Sequence, residues 1–385
     1  MNFNIIGFSL IFLNALAPVD LLLPALPIIN VQFVHSDSTI QWISAFFLFT
    51  SALTQLIIAL NLHNDSIYAL SKNIIYLYVC SMLICLVAPT YHIFLIGRLL
   101  SGVACGALIM MGSFSIANHC YQKPDLLIGT VSYVSAISTL SPLVMPIISG
   151  YIVDYTHWRF LFLFLILLSL ILLQFRQYAF VDGQVVDQKN TSIYGMVSRF
   201  DIICLSVICG LGLSLLIDLI SFSSMYLQNA HHFTVRQFSL FCMAAALTST
   251  LSRLMIPKIT KHFSLTMIFY SCCSLIVFSL LLFIVTFLHY NNVVFIFAGL
   301  IQFGSASILM TISAVEIQKR LPLALKGIGL GSYGFIKFII PFIISILIGH
   351  FTLGNFKAYI IITMCIPFLI VLMYQYVRQY DLVQN

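Results

Sequence analysis

The chain has 385 residues, of which 61% are hydrophobic and 7% charged, with a formal net charge of +6. A soluble domain carries about 25% charged residues, so this composition cannot close around a core and leave a wettable surface. It argues against a soluble enzyme and against a nucleic-acid-binding module, and points to an all-α chain that crosses a lipid bilayer many times.

A membrane-crossing helix needs about 20 apolar residues. Hydropathy and helix breakers predict twelve spans, at 5–29, 40–62, 74–90, 92–117, 126–150, 158–178, 201–228, 237–257, 264–288, 292–315, 325–349 and 356–377. Met1 to Leu16 contains no Lys or Arg, so it lacks the positive start of a signal peptide and reads as the beginning of the first span. That span carries Asp20 inside Ala17-Pro18-Val19-Asp20-Leu21-Leu22-Leu23-Pro24-Ala25-Leu26-Pro27. Pro24 and Pro27 withdraw two backbone donors, so a strained or broken helix is expected where the charge sits.

The fourth span holds Arg98 and then Gly102 and Gly106, small residues spaced to let another helix approach closely. The fifth contains Pro142, Pro146 and Gly150, which are expected to bend it and free carbonyls. The connection after the sixth span, about Ala179 to Phe200, is the one long polar linker, with Asp182, Asp187 and Lys189. It divides the chain into halves at 1–178 and 201–385, joined by 179–200. The seventh span contains Asp218. The tenth ends at Glu316, the sole glutamate, beside Lys319 and Arg320, and is read as an interfacial ion pair. The eleventh has Gly327, Gly329, Gly331 and Gly334, then Lys337 and Pro341, a segment able to hinge.

Four ionisable residues thus fall deep in spans: Asp20, Arg98, Asp218 and Lys337. An ionisable group at the bilayer centre costs roughly 2.5–3.5 kcal/mol on insertion scales and marks an ion or substrate path. Asp20 and Asp218 lie about 15–17 residues into the first span of each half, the placement expected of two pseudo-symmetric halves. Pairing of Asp20 with Arg98, and of Asp218 with Lys337, is expected to couple proton binding to movement. Asp20, Arg98 and Asp218 are candidate proton-coupling residues; Asp20, Asp218 and Lys337 are candidate cavity residues. Structural ion pairing remains the alternative for each.

The orientation follows from the positive-inside rule. With both termini in the cytoplasm, Lys72, Lys123, Arg176, Lys189, Arg199, Arg253, Lys258, Lys261, Lys319, Arg320, Lys326 and Arg378 fall on the cytoplasmic side or at that interface. Arg159, Arg236 and Lys357 fall on the other. The net charge is then a consequence of topology. The ten cysteines lie mostly in apolar runs without C-x-x-C or Cys/His clusters, so neither a disulfide framework nor a metal site is expected. No phosphate-binding G-x-x-x-x-G-K-[ST] string occurs, so energy is expected from a proton gradient, with no cofactor.

Several of these strings resemble the major facilitator superfamily (MFS), and within it the drug:proton antiporters of the bicyclomycin/chloramphenicol-resistance (Bcr/CflA) type. Asp20-x-x-Leu23-Pro24-Ala25-Leu26-Pro27 resembles that branch's D-x-Y-L-P-A-L-P. Arg98-x-x-x-Gly102 resembles its fourth-span motif, whose arginine is implicated in proton coupling. Pro142, Pro146 and Gly150 resemble the fifth-span antiporter motif, Trp158-Arg159 the opening of the sixth span, and Tyr226-Leu-Gln228 with Gln237-Phe238 the approach to the eighth. The loop between the second and third spans departs from the family: the usual basic cluster is reduced to Lys72.

The resemblance implies the MFS fold, twelve transmembrane helices in two pseudo-symmetric six-helix bundles. It implies a monomer in the bacterial cytoplasmic (inner) membrane that exports small amphipathic compounds in exchange for protons by alternating access. Gly102, Gly106, Pro24, Pro27, Pro142, Pro146, Gly150, Gly331, Gly334 and Pro341 are its candidate hinge positions. A transporter of a specific anionic metabolite or siderophore is the alternative, which Lys337 and the altered loop favour. An embedded enzyme or receptor would need a catalytic cluster or a signalling domain, and the sequence displays neither.

Overall fold

The computed structural model describes residues 3–33, 38–61, 67–120, 130, 134, 137–138, 140–182, 199–289, 292–321, 326–352 and 356–384. Every regular element among them is helical. The first half contains α1 (Phe3–Asp20), a 3-10 turn (Leu23–Ala25), α2 (Leu26–Phe33), α3 (Ser38–Asn61), α4 (Ile67–Val87), α5 (Tyr91–Cys120), α6 (Leu140–Tyr155), α7 (Phe160–Gln174) and the short α8 (Arg176–Ala179). The second contains α9 (Phe200–Met225), a π turn (Tyr226–Ala230), α10 (Val235–His262), α11 (Leu265–His289), α12 (Asn292–Arg320), α13 (Lys326–Thr352) and α14 (Phe356–Gln384). Among the described residues, ten helical segments are long and apolar enough to cross a membrane, the first running Phe3–Phe33 through the break. Two shorter apolar helices, Val144–Tyr155 and Phe160–Gln174, stand at the fifth and sixth positions. Most of the polar linker between the halves, and the first part of the fifth span, lie outside the described residues.

The two ends of the bundle are identified by what packs there. Gly7 near the start of α1 lies against the backbone of Ala179, and the Phe200 ring meets Tyr376 near the end of α14 with centroids 4.8 Å apart. We call this the terminal face. At the opposite face, Trp158 is 1% exposed and packs among Phe33, Phe94 and Phe162. Its indole N–H donates to Gln32 Oε1 at 2.7 Å, which satisfies the polar edge of an otherwise apolar anchor. That contact fixes the end of the first span to the start of the sixth.

One large hydrophobic core runs from Ile11 to Phe180 and takes in Phe338, a second runs from Ile202 to Val377, and a small cluster of Phe8, Ile116 and Val134 adjoins the first half. Each half therefore has its own core, and the halves meet along two seams. In one seam, α3 packs on α13, with Phe49 and Phe342 rings 4.8 Å apart and Gln55 and Ala59 against Gly334 and Gly331. In the other, α6 packs on α10, with Gly150 against Ser239 and Arg236. The first seam closes toward the terminal face and the second toward the opposite face.

Several helix limits differ from those read by hydropathy. The third span begins at Ile67, not 74, because the Tyr68 N–H finds Asp182 Oδ1 at 3.0 Å, a helix-start partner 114 residues away. The Arg176 guanidinium covers the Tyr68 ring at 4.0 Å and secures the same corner. The eighth span begins at Val235 because Thr234 and Gln237 form a reciprocal capping box, which satisfies two donors at the helix start. It continues to His262, which moves Arg253 from the expected interface to well inside the helix. The tenth and twelfth spans also run on, to Arg320 and Gln384.

Candidate transport site

The first span breaks in an ordered way. Leu21 N–H still donates to Ala17 O at 2.9 Å, but Leu22 N–H turns to Val19 O at 3.2 Å, a tightened three-residue bond. The Pro18 carbonyl is thereby released from its helical donor, and Arg98 Nη1 donates to it at 3.4 Å. Pro24 has no N–H to offer Asp20 O, and Pro27 has none to offer Leu23 O. The Leu23 carbonyl instead accepts from Leu26 N–H and from Ser224 Oγ of the second half, the latter at 3.3 Å. Gln228 Nε2, in the π turn, donates to Pro24 O at 3.4 Å and to Ser224 Oγ at 3.0 Å. The break is therefore a cross-half junction as well as a local distortion.

Asp20 stands at the last residue of α1, partly exposed, between the two halves. Its Oδ2 accepts a 2.7 Å hydrogen bond from Ser141, which is fully buried in the first turn of α6. Cys242 of α10 lies within electrostatic range of the carboxyl group from the other half.

The expected Asp20–Arg98 pair is not formed. Arg98 is 1% exposed, with its guanidinium 4.6 Å above the Phe47 ring and its Nε without a hydrogen bond. A ring face and a loosened carbonyl stabilise the cation here in place of a carboxylate. The reason is geometric: the helix break turns the Pro18 carbonyl, not the Asp20 side chain, toward α5.

The expected Asp218–Lys337 pair is also not formed. Asp218 is 2% exposed, accepts from Ser345 of α13 through Oδ1, and has an unpartnered Oδ2. Tyr359 of α14 lies within its electrostatic range and stacks on Phe222, one turn beyond Asp218, at 4.6 Å. Lys337 lies two turns of α13 from Ser345, about 12 Å along the axis, which is too far to share the carboxylate. Its ammonium rests 5.8 Å from the Tyr333 ring and 5.6 Å from the Phe338 ring. Among the described residues it has no ion pair.

Arg253, assigned by sequence to the basic end of the eighth span, belongs to this region too. It lies nine residues before the end of α10, about 14 Å inside. Its Nε is buried and unpartnered. Arg253 and Lys337 both lie within electrostatic range of Cys209, whose Sγ is 3.3 Å from the Tyr333 hydroxyl. The signal was present as periodicity: Arg253 shares a helix face with the buried Cys242 and Ala246, whereas Lys258 and Lys261 are exposed.

The breakers divide by role. Pro24 and Pro27 make the first-span break. Gly102 and Gly106 seat α5 against Phe47, Thr50 and Ser51 of α3, and Gly150, Gly331 and Gly334 serve the two seams. Pro142 and Pro146 in α6, and Pro341 in α13, lie within helices that continue past them. Glu316 forms the expected ion pairs with Lys319 at 3.0 Å and Arg320 at 3.8 Å. The nine described cysteines are free thiols. Among the described residues no group of three His, Cys, Asp or Glu side chains converges as a metal site.

Residues 6–345 match the Major Facilitator Superfamily profile. A comparison with curated proteins gives no match. Among solved structures, a D-xylose–proton symporter superposes with a TM-score of 0.76 at 12% identity, covering 97% of this chain and 98% of its own. A point-mutant form of the nucleoside transporter NupG gives 0.69 at 14% identity, covering 98% and 99%. A bacterial homologue of the human lysosomal transporter Spinster, inward-facing and unoccupied, gives 0.68 at 13%, covering 97% and 95%. At these identities the likeness shows the fold. With the family match across most of its length, the chain belongs to the major facilitator superfamily and is a multi-pass membrane transporter.

Proposed function

We propose that this chain is a proton-coupled secondary transporter that moves a small molecule by alternating access, with Asp20 as the proton carrier. The observation that carries the reading is the position of that carboxyl group. It ends α1 at a helix break, is held by Ser141, and faces Cys242 across the boundary between halves. Gain or loss of a proton there changes the charge at a point where a shift of α10 against the first span is felt. The two halves, 1–178 and 201–385 joined by 179–200, rock about this centre. The α3–α13 seam and the α6–α10 seam serve as the gates. Asp218, held inside the second half by Ser345, is the second carboxyl group on which proton binding can act.

The excess of Lys and Arg at the terminal face supports a cytoplasmic position for it, and the resemblance to the antiporter branch supports a monomer in a bacterial inner membrane. The first-span string and Arg98-x-x-x-Gly102 support proton-driven export of small amphipathic compounds. A second reading keeps the coupling and changes the cargo to a specific anionic metabolite or chelator; Lys337, without an ion pair among the described residues, favours it.

Reconstitution into liposomes with an imposed pH gradient and a panel of amphipathic and anionic compounds tests the reading. The wild type is expected to move substrate against its gradient at the expense of the proton gradient. Asp20→Asn is expected to lose this uphill movement while keeping exchange of substrate for substrate. Full proton-driven accumulation by Asp20→Asn would refute the assignment.

A further inference from the structure

One face of α9 meets three other helices of the second half. Leu215, Asp218 and Phe222 share that face at helical spacing. Ser345 Oγ of α13 donates to Asp218 Oδ1. About one turn before Asp218, Gln302 Nε2 of α12 donates to the Leu215 carbonyl at 3.2 Å. About one turn after it, the Tyr359 ring of α14 stacks on Phe222 with centroids 4.6 Å apart. Direct contacts thus bring α12, α13 and α14 together around Asp218. Asp218 and Ser345 are 2% exposed, and Gln302 and Tyr359 are not exposed at all.

Three oxygens of this cluster are buried without a hydrogen-bond partner: Asp218 Oδ2, Gln302 Oε1 and Tyr359 Oη. The Leu215 carbonyl fixes the Gln302 amide, because its nitrogen must face that acceptor and its oxygen is left over. Ser345 already gives its proton to Oδ1. The Tyr359 hydroxyl, within electrostatic range of Asp218, has one proton, which cannot serve both Asp218 Oδ2 and Gln302 Oε1. A buried charged oxygen is stable where it is paired or coordinates a metal ion. Carboxylate, amide and hydroxyl oxygens suit a hard cation. A single carboxylate among neutral oxygens balances one positive charge, not two.

We propose that Asp218, Gln302, Ser345 and Tyr359 form a binding site for Na+, a small monovalent cation, inside the second half. The site goes beyond the proton-coupled reading and makes no use of Asp20. An ion held there ties α9 to α14 and to the part of α13 that follows Pro341. Ser345 lies one turn past Phe342, whose ring packs on Phe49 of α3 across the α3–α13 seam. Occupancy therefore acts on a gate helix, and Na+ is a second ion able to bias the alternation of the halves.

The test uses the full chain in nanodiscs of zwitterionic lipid, buffered above neutral pH so that protons compete little. Thermal unfolding is followed as NaCl replaces choline chloride at constant ionic strength. The expected result is a saturable rise in Tm with Na+. Asp218→Asn is expected to abolish that rise. Tyr359→Phe and Ser345→Ala each remove one oxygen and are expected to weaken the apparent Na+ affinity at least about fivefold. Where Asp218→Asn fails to fold, these two variants carry the test. A wild type whose Tm responds no more to Na+ than to choline overturns the proposal. A purely structural role for these groups would lower Tm equally in both salts and leave the Na+ response as in wild type; that outcome in every folded variant overturns the proposal too. Asp20→Asn is expected to keep the Na+ response. Loss of proton-driven transport in that variant and loss of the Na+ response in Asp218→Asn are therefore read separately.

Discussion

Ser141 Oγ donates a 2.7 Å hydrogen bond to Asp20 Oδ2, tying the first turn of α6 to the break in the first span. Because α6 also forms a seam with α10, the Asp20 carboxyl group is mechanically joined to a helix that must move when the halves rock. The partner is a neutral hydroxyl, which can serve a carboxylate as donor or a carboxylic acid as acceptor. Ser141 can therefore follow Asp20 through both protonation states.

Ser141→Ala is expected to fold and to transport, at a rate several-fold below wild type, because the carboxyl group loses its positioning partner without losing its proton site. Ser141→Thr keeps the hydroxyl and is expected to restore much of the rate. Initial rates in liposomes at several imposed pH gradients check this; equal rates for wild type and Ser141→Ala would show that the hydrogen bond has no part in coupling.

The junction of Leu23 and Pro24 with Ser224 and Gln228 holds the halves together toward the opposite face. Each neutral hydrogen bond contributes about 0.5–1.5 kcal/mol. The double variant Ser224→Ala with Gln228→Leu is expected to shift the population toward states open at that face. Cys242, 2% exposed in this conformation, then becomes more reactive to a membrane-impermeant thiol reagent added from that side. Unchanged labelling kinetics would remove these residues from the gate.

At the terminal-face seam, Gly331 admits Ala59 so closely that any side chain there must push α3 and α13 apart. Gly331→Val is expected to hold this seam open and to reduce transport by at least about tenfold, with little loss of folded protein, since each half keeps its own core. Distances between spin labels on α3 and α13 near this face should lengthen relative to wild type. A wild-type distance distribution together with normal transport would contradict the assignment of this seam as a gate.

Asp201 joins the start of α9 to the end of α12 through Arg199 at 3.0 Å and Arg320 at 3.4 Å. The arginines are 27% and 20% exposed, so water screens part of the interaction, while Asp201 itself is 1% exposed. Asp201→Asn is expected to destabilise the second half by about 1–3 kcal/mol, read as a lower Tm. Addition of salt should narrow the gap between the variant and wild type. A Tm within error of wild type at low salt would show the network to be energetically idle.

The all-helical, many-span character of the chain and the break at Asp20 could both be read along the chain. Hydropathy, proline content and the cost of a charge in lipid are local quantities, and they are nearly additive over a window of residues. The same locality explains what was misplaced. Tyr68 is capped by Asp182, 114 residues away, so no window around the third span contains the reason it begins at Ile67. Arg253 sits in a sequence that reads as a basic helix end, and only the capping box at Thr234 and the extension to His262 set its depth.

The amino-acid sequence by itself determined that Asp20, Arg98, Asp218 and Lys337 would lie within membrane-crossing segments, because no short loop could carry them out of their apolar surroundings. Tertiary structure decided their partners. Arg98 takes the Pro18 carbonyl and the Phe47 ring, Asp20 takes Ser141, Asp218 takes Ser345, and Lys337 rests by the Tyr333 and Phe338 rings. The physical reason is that burial depends on a segment's own composition, whereas pairing depends on which helix faces meet and how each helix is rotated when they do.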